Sequence, residues 1–436
     1  MPHTYDVLIA GAGPAGCAAA YDLARAGRRV LLLDKRTFPR PKACACGLTR
    51  KTLKALRYSV DPVVERVCHE IILQIGNEPG APGPDSRTRV STTPPLADKS
   101  REIRVKTRNP ICAMAVRERF DHFCLQQTLA SGRKGGSVQL QKIDSILALR
   151  EFPTHIELDV AITEAGEQRT ETLTAPVLIG ADGSNGQTRR LAARLSQGEA
   201  VAHSAQEPAW YAHGFALEAM VPFVALPATL PAGDKAHDLV FDFSPLKGGY
   251  GWLFPKGDHI NIGVGGFVPR TDDTTHNDRP FEKVTRALLA QYTLHKLGLD
   301  LASIDAHVTG QYLGLGGHAY IPQGRVLLTG DAAGLVDPLT GEGIHSAIIS
   351  GQAAAAAILE TTSAGSAALA AAYARHLAPL QETLAFSHRA ARSFYAEPAR
   401  GFKIMRTPIL RQLVLKTYAD GLPHTKLLTS LAKRVA

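Results

Sequence analysis

The sequence predicts an α/β fold, α+β overall: a parallel-sheet nucleotide-binding domain interleaved with an antiparallel-sheet domain, followed by a C-terminal helical region. Three observations carry this. A glycine-rich turn joins a short apolar strand to a helix at residues 6–27. A second apolar run, VLLTGDAAG, ends in Gly330-Asp331 far along the chain. Between them lie stretches of period-2 alternation, and after residue 350 the composition turns helical.

The first element is DVLIA, residues 6–10, followed by Gly11-Ala12-Gly13-Pro14-Ala15-Gly16. CAAAYDLARAG then reads as a helix ending at Gly27, and RRVLLLD as a strand ending at Asp34. This is the G-x-G-x-x-G fingerprint in its required strand–turn–helix–strand context, a Rossmann-like unit. Gly11 permits the tight turn. Gly13 lets backbone approach a pyrophosphate. Gly16 lets helix and strand pack. The helix start presents free N–H groups and a positive dipole end to phosphates. Asp34, followed by Lys35, is placed to accept from ribose hydroxyls.

In 326–348, an Asp at a strand end precedes Gly341-Glu342-Gly343-Ile344, which opens a second helix. Together the two ends of the chain resemble FAD-dependent oxidoreductases of the para-hydroxybenzoate hydroxylase-like group. The resemblance implies FAD as cofactor, Gly330-Asp331 on its ribityl chain, and Gly341, Gly343 and Ile344 at the ring edge. A helix N-terminus there would stabilise negative charge on a reduced flavin. VRERFDHFCLQQTLA resembles the group's helix start and places Arg117 at the cofactor; a surface salt bridge is its alternative. APVLIGADGSNGQTRRLA resembles a second Ala-Asp-Gly element, with Asp182 near the adenosine half, mostly structural, and Ser184 starting the next helix.

Motif positions predict an FAD-binding domain from 1–75, 105–200 and 305–360, a substrate domain from 76–104 and 201–304, and helices over 361–436. Residues 76–102 are rich in Pro, Gly, Ser and Thr and read as a long loop or irregular hairpin. IELDVAI and QRTETLT alternate like antiparallel strands, as do AWYAHGFALEAM, DLVFDFS, GYGWLFP and HINIGVGGF.

Tyr250, Trp252 and Phe254 fall at period 2, so a strand would put them on one face. With Pro255 they resemble the Tyr-x-Trp-x-Phe-Pro element of the geranylgeranyl reductase family, which implies a pocket for a long isoprenoid chain. The family's proline three residues before the tyrosine is here Lys247. Lys42-Ala43-Cys44 resembles the family's Lys-x-Cys, with two expected glycines replaced by Ala45 and Cys46. Cys44 would lie near the flavin, either as a proton donor or as a pocket-ordering group, and Cys46 could take the same role.

The resemblance implies an FAD-dependent reductase of C=C bonds in a polyprenyl group of a lipid, quinone or pigment. Hydride would come from reduced flavin, and the electron donor would be NADPH or a ferredoxin-like protein. Three rivals stand beside it: a flavin monooxygenase or halogenase acting on an aromatic substrate, a quinone-linked electron-transfer flavoprotein, and a non-catalytic flavin-bound polyprenyl carrier. All six cysteines precede residue 125 at spacings that suit no metal or iron–sulfur site.

The net charge of +9 favours anionic partners, but no zinc-finger, RNA-recognition or zipper pattern points to nucleic acid. No apolar run reaches the ~18 residues of a spanning helix, and the N-terminus shows no signal peptide. A cytoplasmic protein is expected. The basic amphipathic C-terminal region would either contact the inner face of the membrane peripherally or pack as ordinary helices.

Overall fold

The computed structural model describes residues 4–75, 102–195, 201–202, 207–227, 239–267, 279–304, 306–361 and 365–421. The 76–102 stretch, all but its last residue, lies outside them, as does the end of the basic tail.

Four buried apolar runs and a polar edge strand form a five-stranded parallel sheet in the order Val326–Leu328, Leu178–Gly180, Val7–Ala10, Arg29–Asp34, Ser137–Lys142. Both faces of the first four are covered, which is why they read as continuous rather than alternating apolar sequence. The helices Pro14–Arg25 and Ile344–Glu360 pack against each other on this sheet. Their approach is so close that a Cβ on Gly351 would sit 2.2 Å from the Ala15 carbonyl oxygen. Two motifs more than 300 residues apart are thereby set side by side.

The alternating stretch at 145–175 forms the predicted hairpin, Ile156–Glu164 against Glu167–Ala175, extended by Ser145–Glu151 and Val201–Ala202. A seven-stranded sheet runs Val308–Leu315, Ala212–Pro222, His259–Phe267, Gly249–Pro255, Leu239–Asp242, Glu70–Gln74, Glu102–Lys106. It is antiparallel except where Leu239–Asp242 meets Glu70–Gln74. This sheet therefore draws Glu70–Gln74 and Val308–Leu315 from segments that the motif positions assigned to the nucleotide domain. Helix Arg279–Leu297 buries Leu289, Tyr292 and Leu297 against the sheet's far face, with Leu217, Leu253, Ile262 and Val264.

Three helices close the described chain: Ser366–Ala396, Pro398–Arg406 and Pro408–Asp420. Pro398 and Pro408 each occupy the first turn of a helix, where a missing N–H costs nothing. Phe402, Met405, Leu415 and Ala419 are buried with Phe241, Trp252 and Phe254 of the large sheet. The last two helices thus cover the sheet's aromatic face. Among the described residues no helix is long and apolar enough to cross a membrane.

Candidate functional site

A cavity of about 650 Å³ opens between the two main sheets. The candidate catalytic and cofactor-binding residues all line it except Ala12 and Gly16. Those two have internal duties. The Ala12 N–H donates to Asp34 Oδ2 at 2.9 Å, and a Cβ on Gly16 would lie 1.9 Å from the Gly11 carbonyl oxygen. Gly11 has φ +108°, and a Cβ there would strike the Ala181 carbonyl oxygen at 2.2 Å. Gly13 is different: a Cβ on it would meet nothing nearer than Arg40 Nη2, at 3.8 Å. The middle glycine borders open space, as it must if a phosphate is to lie against the backbone.

Two helix starts face this cavity. Pro14–Arg25 and Ile344–Glu360 have Gly13 and Gly343 at their N-caps. No side chain caps the first, so its first-turn N–H groups are left for an external acceptor; in the second, Glu342 Oε1 takes the His345 N–H at 2.7 Å. The Asp331 carboxylate borders the same space and accepts no hydrogen bond from another described residue. A Cβ on Gly343 would lie 3.4 Å from Asp331 Oδ1, so the Asp motif and the second helix start converge. Asp34 also takes the Arg36 N–H on Oδ1 at 2.8 Å, leaving each oxygen one lone pair for a ligand. Lys35 Nζ donates to Gln187 Oε1 at 2.8 Å and ties this rim together. The free N–H groups of the first helix start, an open glycine and a carboxylate that accepts no hydrogen bond from another described residue fit a dinucleotide with a polyol linker.

Two expected cofactor contacts have internal partners. The Asp182 carboxylate accepts from the Gln187 N–H at 2.6 Å, the Thr188 N–H at 2.9 Å and the Thr188 hydroxyl, so it caps Thr188–Ala192. Ser184 does not start that helix; its hydroxyl donates to the Tyr312 carbonyl at 2.6 Å. Arg117 forms no surface salt bridge. It is buried, with Nε donating to Asp121 Oδ1 at 2.7 Å, and Arg40 lies 3.3 Å from the other Asp121 oxygen. Burial, then the Arg117 charge, lowers the pKa of the neighbouring Lys42 ammonium.

The Lys42–Gly47 loop lines the cavity between its cofactor and aromatic ends. Two buried charges from the large sheet clamp it. The Cys44 N–H donates to Glu218 Oε1 at 2.7 Å. Lys256 Nζ donates to the Ala45 carbonyl and, at 2.9 Å, to the Ala115 carbonyl. Cys46 has φ +47°, in the left-handed region, and its N–H reaches Cys44 Sγ at 3.3 Å. This explains the glycine expected there.

Both cysteines line the cavity, in different states. A hydrogen bond from the Cys46 thiol, helped by the Arg117 charge and opposed by burial, holds Cys44 well below the usual thiol range. Donating that bond, together with burial, pushes Cys46 up. Glu218 is raised to about 7 by burial and the nearby Cys44 charge. Sequence reasoning missed Glu218 and Lys256. The signal was a charge interrupting each of two apolar stretches, Glu218 in FALEAMV and Lys256 directly after GYGWLFP.

Tyr250, Trp252 and Phe254 share one face, as the spacing predicts, with ring centroids 5.9 and 6.4 Å apart in sequence order. The Tyr250 hydroxyl donates to the Thr340 carbonyl, joining this strand to the loop before the second helix start. Trp252 Nε1 donates to Asn261 Oδ1 at 2.6 Å. Its ring fits only because residue 263 is glycine: a Cβ there would lie 2.0 Å from Cζ2. Phe241, Tyr395 and Tyr418 complete this end. Lys247, the departure from the family pattern, is exposed and lies off the cavity lining.

Residues 4–206 match the FAD binding domain family. Menaquinone reductase of Mycobacterium tuberculosis is 28% identical over 379 residues, covering 80% of this chain and 75% of the relative. Geranylgeranyl diphosphate reductase of Rhodobacter capsulatus is 25% identical over 369 residues, covering 83% and 76%.

Among solved structures, a geranylgeranyl bacteriochlorophyll reductase-like protein from Thermoplasma acidophilum superposes with a TM-score of 0.64 at 20% identity, covering 90% of this chain and 88% of that one. The flavin-dependent brominase Bmp2 gives 0.66 at 16%, covering 99% and 98%. Both share the fold. Residues 4–206 thus match an FAD-binding domain, and over about four fifths of its length the chain is similar to proteins named menaquinone reductase and geranylgeranyl diphosphate reductase.

Proposed function

We propose that this chain reduces C=C bonds in a polyprenyl group of a lipid, quinone or pigment. The observation that carries the reading is the continuity of the cavity. One wall has the two helix starts and Asp331, the other has Tyr250, Trp252, Phe254 and Phe241, and Cys44 lies on the loop between. An apolar, aromatic-lined end suits an isoprenoid chain, which offers no hydrogen-bonding groups.

Gly11, Gly13, Asp34, Asp331 and Gly341 to Ile344 would hold FAD, which when bound supplies the hydride. The protein's own part is positioning and protonation. An unactivated alkene is a poor hydride acceptor, so alignment and a well-placed acid must supply much of the rate. The Cys44/Cys46 pair is placed for this, with Cys46 keeping its proton while Cys44 is held toward the thiolate, and Glu218 and Lys256 fix their loop. The electron donor is NADPH or a ferredoxin-like protein. The substrate enters from an anionic membrane surface beside the last two described helices. There Ile404, Ile409 and Val414 are exposed among Lys403, Arg406 and Lys416.

The test is anaerobic. The purified flavoprotein is reduced with dithionite and mixed with geranylgeranyl diphosphate, and product mass and flavin absorbance are followed. Gain of hydrogen pairs with flavin reoxidation, in the absence of oxygen, is the expected result. A flavin that stays reduced with every polyprenyl headgroup offered, and turns over only when air and an aromatic substrate are added, would transfer the site to the oxygenase reading.

A further inference from the structure

The proposed function draws a single proton from the loop at the cavity, yet the loop places two thiols there. Cys44 and Cys46 both line it, and the Cys46 N–H lies 3.3 Å from Cys44 Sγ. The left-handed backbone at Cys46 bends the chain back so that this contact can form. Disulfide closure requires such approach of the two side chains, and residues two apart that point away from each other cannot achieve it. Cys44 is only partly buried, whereas Cys46 is enclosed at 1% exposure. The arrangement is therefore ordered: a solute in the cavity reaches the more exposed Cys44 before the enclosed Cys46. Arg117 beside Cys44 favours the thiolate, which is the oxidisable form.

A second close pair provides contrast. Cys68 and Cys112 face each other across two antiparallel strands, but both are buried in an apolar cluster away from the cavity.

We propose that Cys44 and Cys46 form a peroxide-responsive thiol pair that closes an intramolecular disulfide in the cavity. The Cys44 thiolate attacks one oxygen of hydrogen peroxide and the O–O bond breaks. With one proton taken up, the products are a Cys44 sulfenic acid and water. The Cys46 sulfur then displaces the sulfenic oxygen, which leaves with the Cys46 proton as a second water. In sum, two thiols lose two electrons and two protons, and one peroxide becomes two waters. Reversal requires an external dithiol. Peroxide forms wherever a reduced flavin meets dioxygen, so the oxidant belongs to the chemistry of this cavity. Closing the bond removes the thiol from the junction and spares Cys44 from irreversible sulfinic oxidation. The inference stands apart from the alkene-reduction reading, because it requires only the two thiols and their access.

The test reads peptide mass, not turnover. The full chain as purified is titrated with hydrogen peroxide, alkylated and cleaved with trypsin, which places both cysteines on residues 43–50. The expected result is that this peptide becomes lighter by two hydrogens and resists alkylation until a dithiol reductant is added. It should do so at a peroxide concentration roughly tenfold below that which oxidises Cys68 or Cys112. In Cys46→Ser, Cys44 should instead accumulate two or three oxygens. Two wild-type outcomes overturn the proposal, whatever the folding of the variant. One is oxygen gained at Cys44 while Cys46 still alkylates. The other is an unmodified 43–50 peptide at concentrations that already oxidise Cys68 or Cys112.

Discussion

Glu218 Oε1 accepts the backbone N–H of Cys44 at 2.7 Å, from a strand 174 residues further along the chain. A carboxyl buried on the large sheet thus fixes the loop that carries the candidate proton donor. Its raised pKa of about 7 makes this link sensitive to pH. Between the ordinary carboxyl value and about 7, the folded state holds a proton that the unfolded chain has released. Stability is therefore greatest below the ordinary value and is lost as pH rises through 7, by on the order of 3 kcal/mol. Urea unfolding of wild type and Glu218→Gln from pH 5 to 8 should show this slope only in wild type. Equal slopes would remove Glu218 as its source.

Asp331 and Asp182 look alike in sequence and should behave oppositely. The Asp331 carboxylate accepts no hydrogen bond from another described residue, so Asp331→Ala should leave apo-protein stability within about 0.5 kcal/mol of wild type. Its FAD affinity should fall about tenfold or more, one charge-assisted hydrogen bond being lost. Asp182→Ala removes a cap with three donors and should cost about 1–2 kcal/mol of stability. Thermal melts with and without FAD, together with flavin titration, separate the two.

The fingerprint glycines divide in the same way. Gly16→Ala forces a Cβ to within 1.9 Å of the Gly11 carbonyl oxygen and should destabilise the fold by several kcal/mol or prevent it from forming. Gly13→Ala meets no protein atom closer than 3.8 Å, so it should fold normally and lose flavin. Circular dichroism and the absorbance of retained flavin read both effects. A Gly13→Ala protein that keeps its flavin would show that phosphates lie elsewhere.

The helices Pro398–Arg406 and Pro408–Asp420 bury one face on the aromatic cluster and expose Lys403, Arg406 and Lys416 beside Ile404, Ile409 and Val414. Each basic side chain near an anionic bilayer contributes about 1 kcal/mol. Lys403→Glu/Arg406→Glu/Lys416→Glu should therefore weaken binding to phosphatidylserine vesicles by about a hundredfold or more at low salt. Sedimentation with vesicles measures this. Wild-type protein that ignores anionic vesicles would refute the docking.

The parallel-sheet core and the aromatic strand were legible because each has a period and a boundary. DVLIA-GAGPAG carries a strand, a turn and a helix start in one run, and Tyr250, Trp252 and Phe254 share a face by alternation alone. Glu218 and Lys256 were not legible. Each is one charge in an apolar strand segment, and its partners, the Cys44 N–H and the Ala45 carbonyl, belong to backbone far away in sequence. Asp182 reads as mostly structural, and its carboxylate turns inward to Gln187 and Thr188; the Ala-Asp-Gly string alone does not tell that direction. The last two helices were read from composition, but which face they bury depends on Phe241 and Phe254, which no local pattern reveals.

The large sheet gathers strands from residues 70–74, 102–106, 212–267 and 308–315, passing in and out of the cofactor-binding segments. No single stretch of gene therefore encodes the substrate side alone. Recombination cannot exchange it as a cassette while keeping the flavin cradle, and descendants of such a chain can acquire a new substrate only by replacing side chains one at a time around a fixed framework.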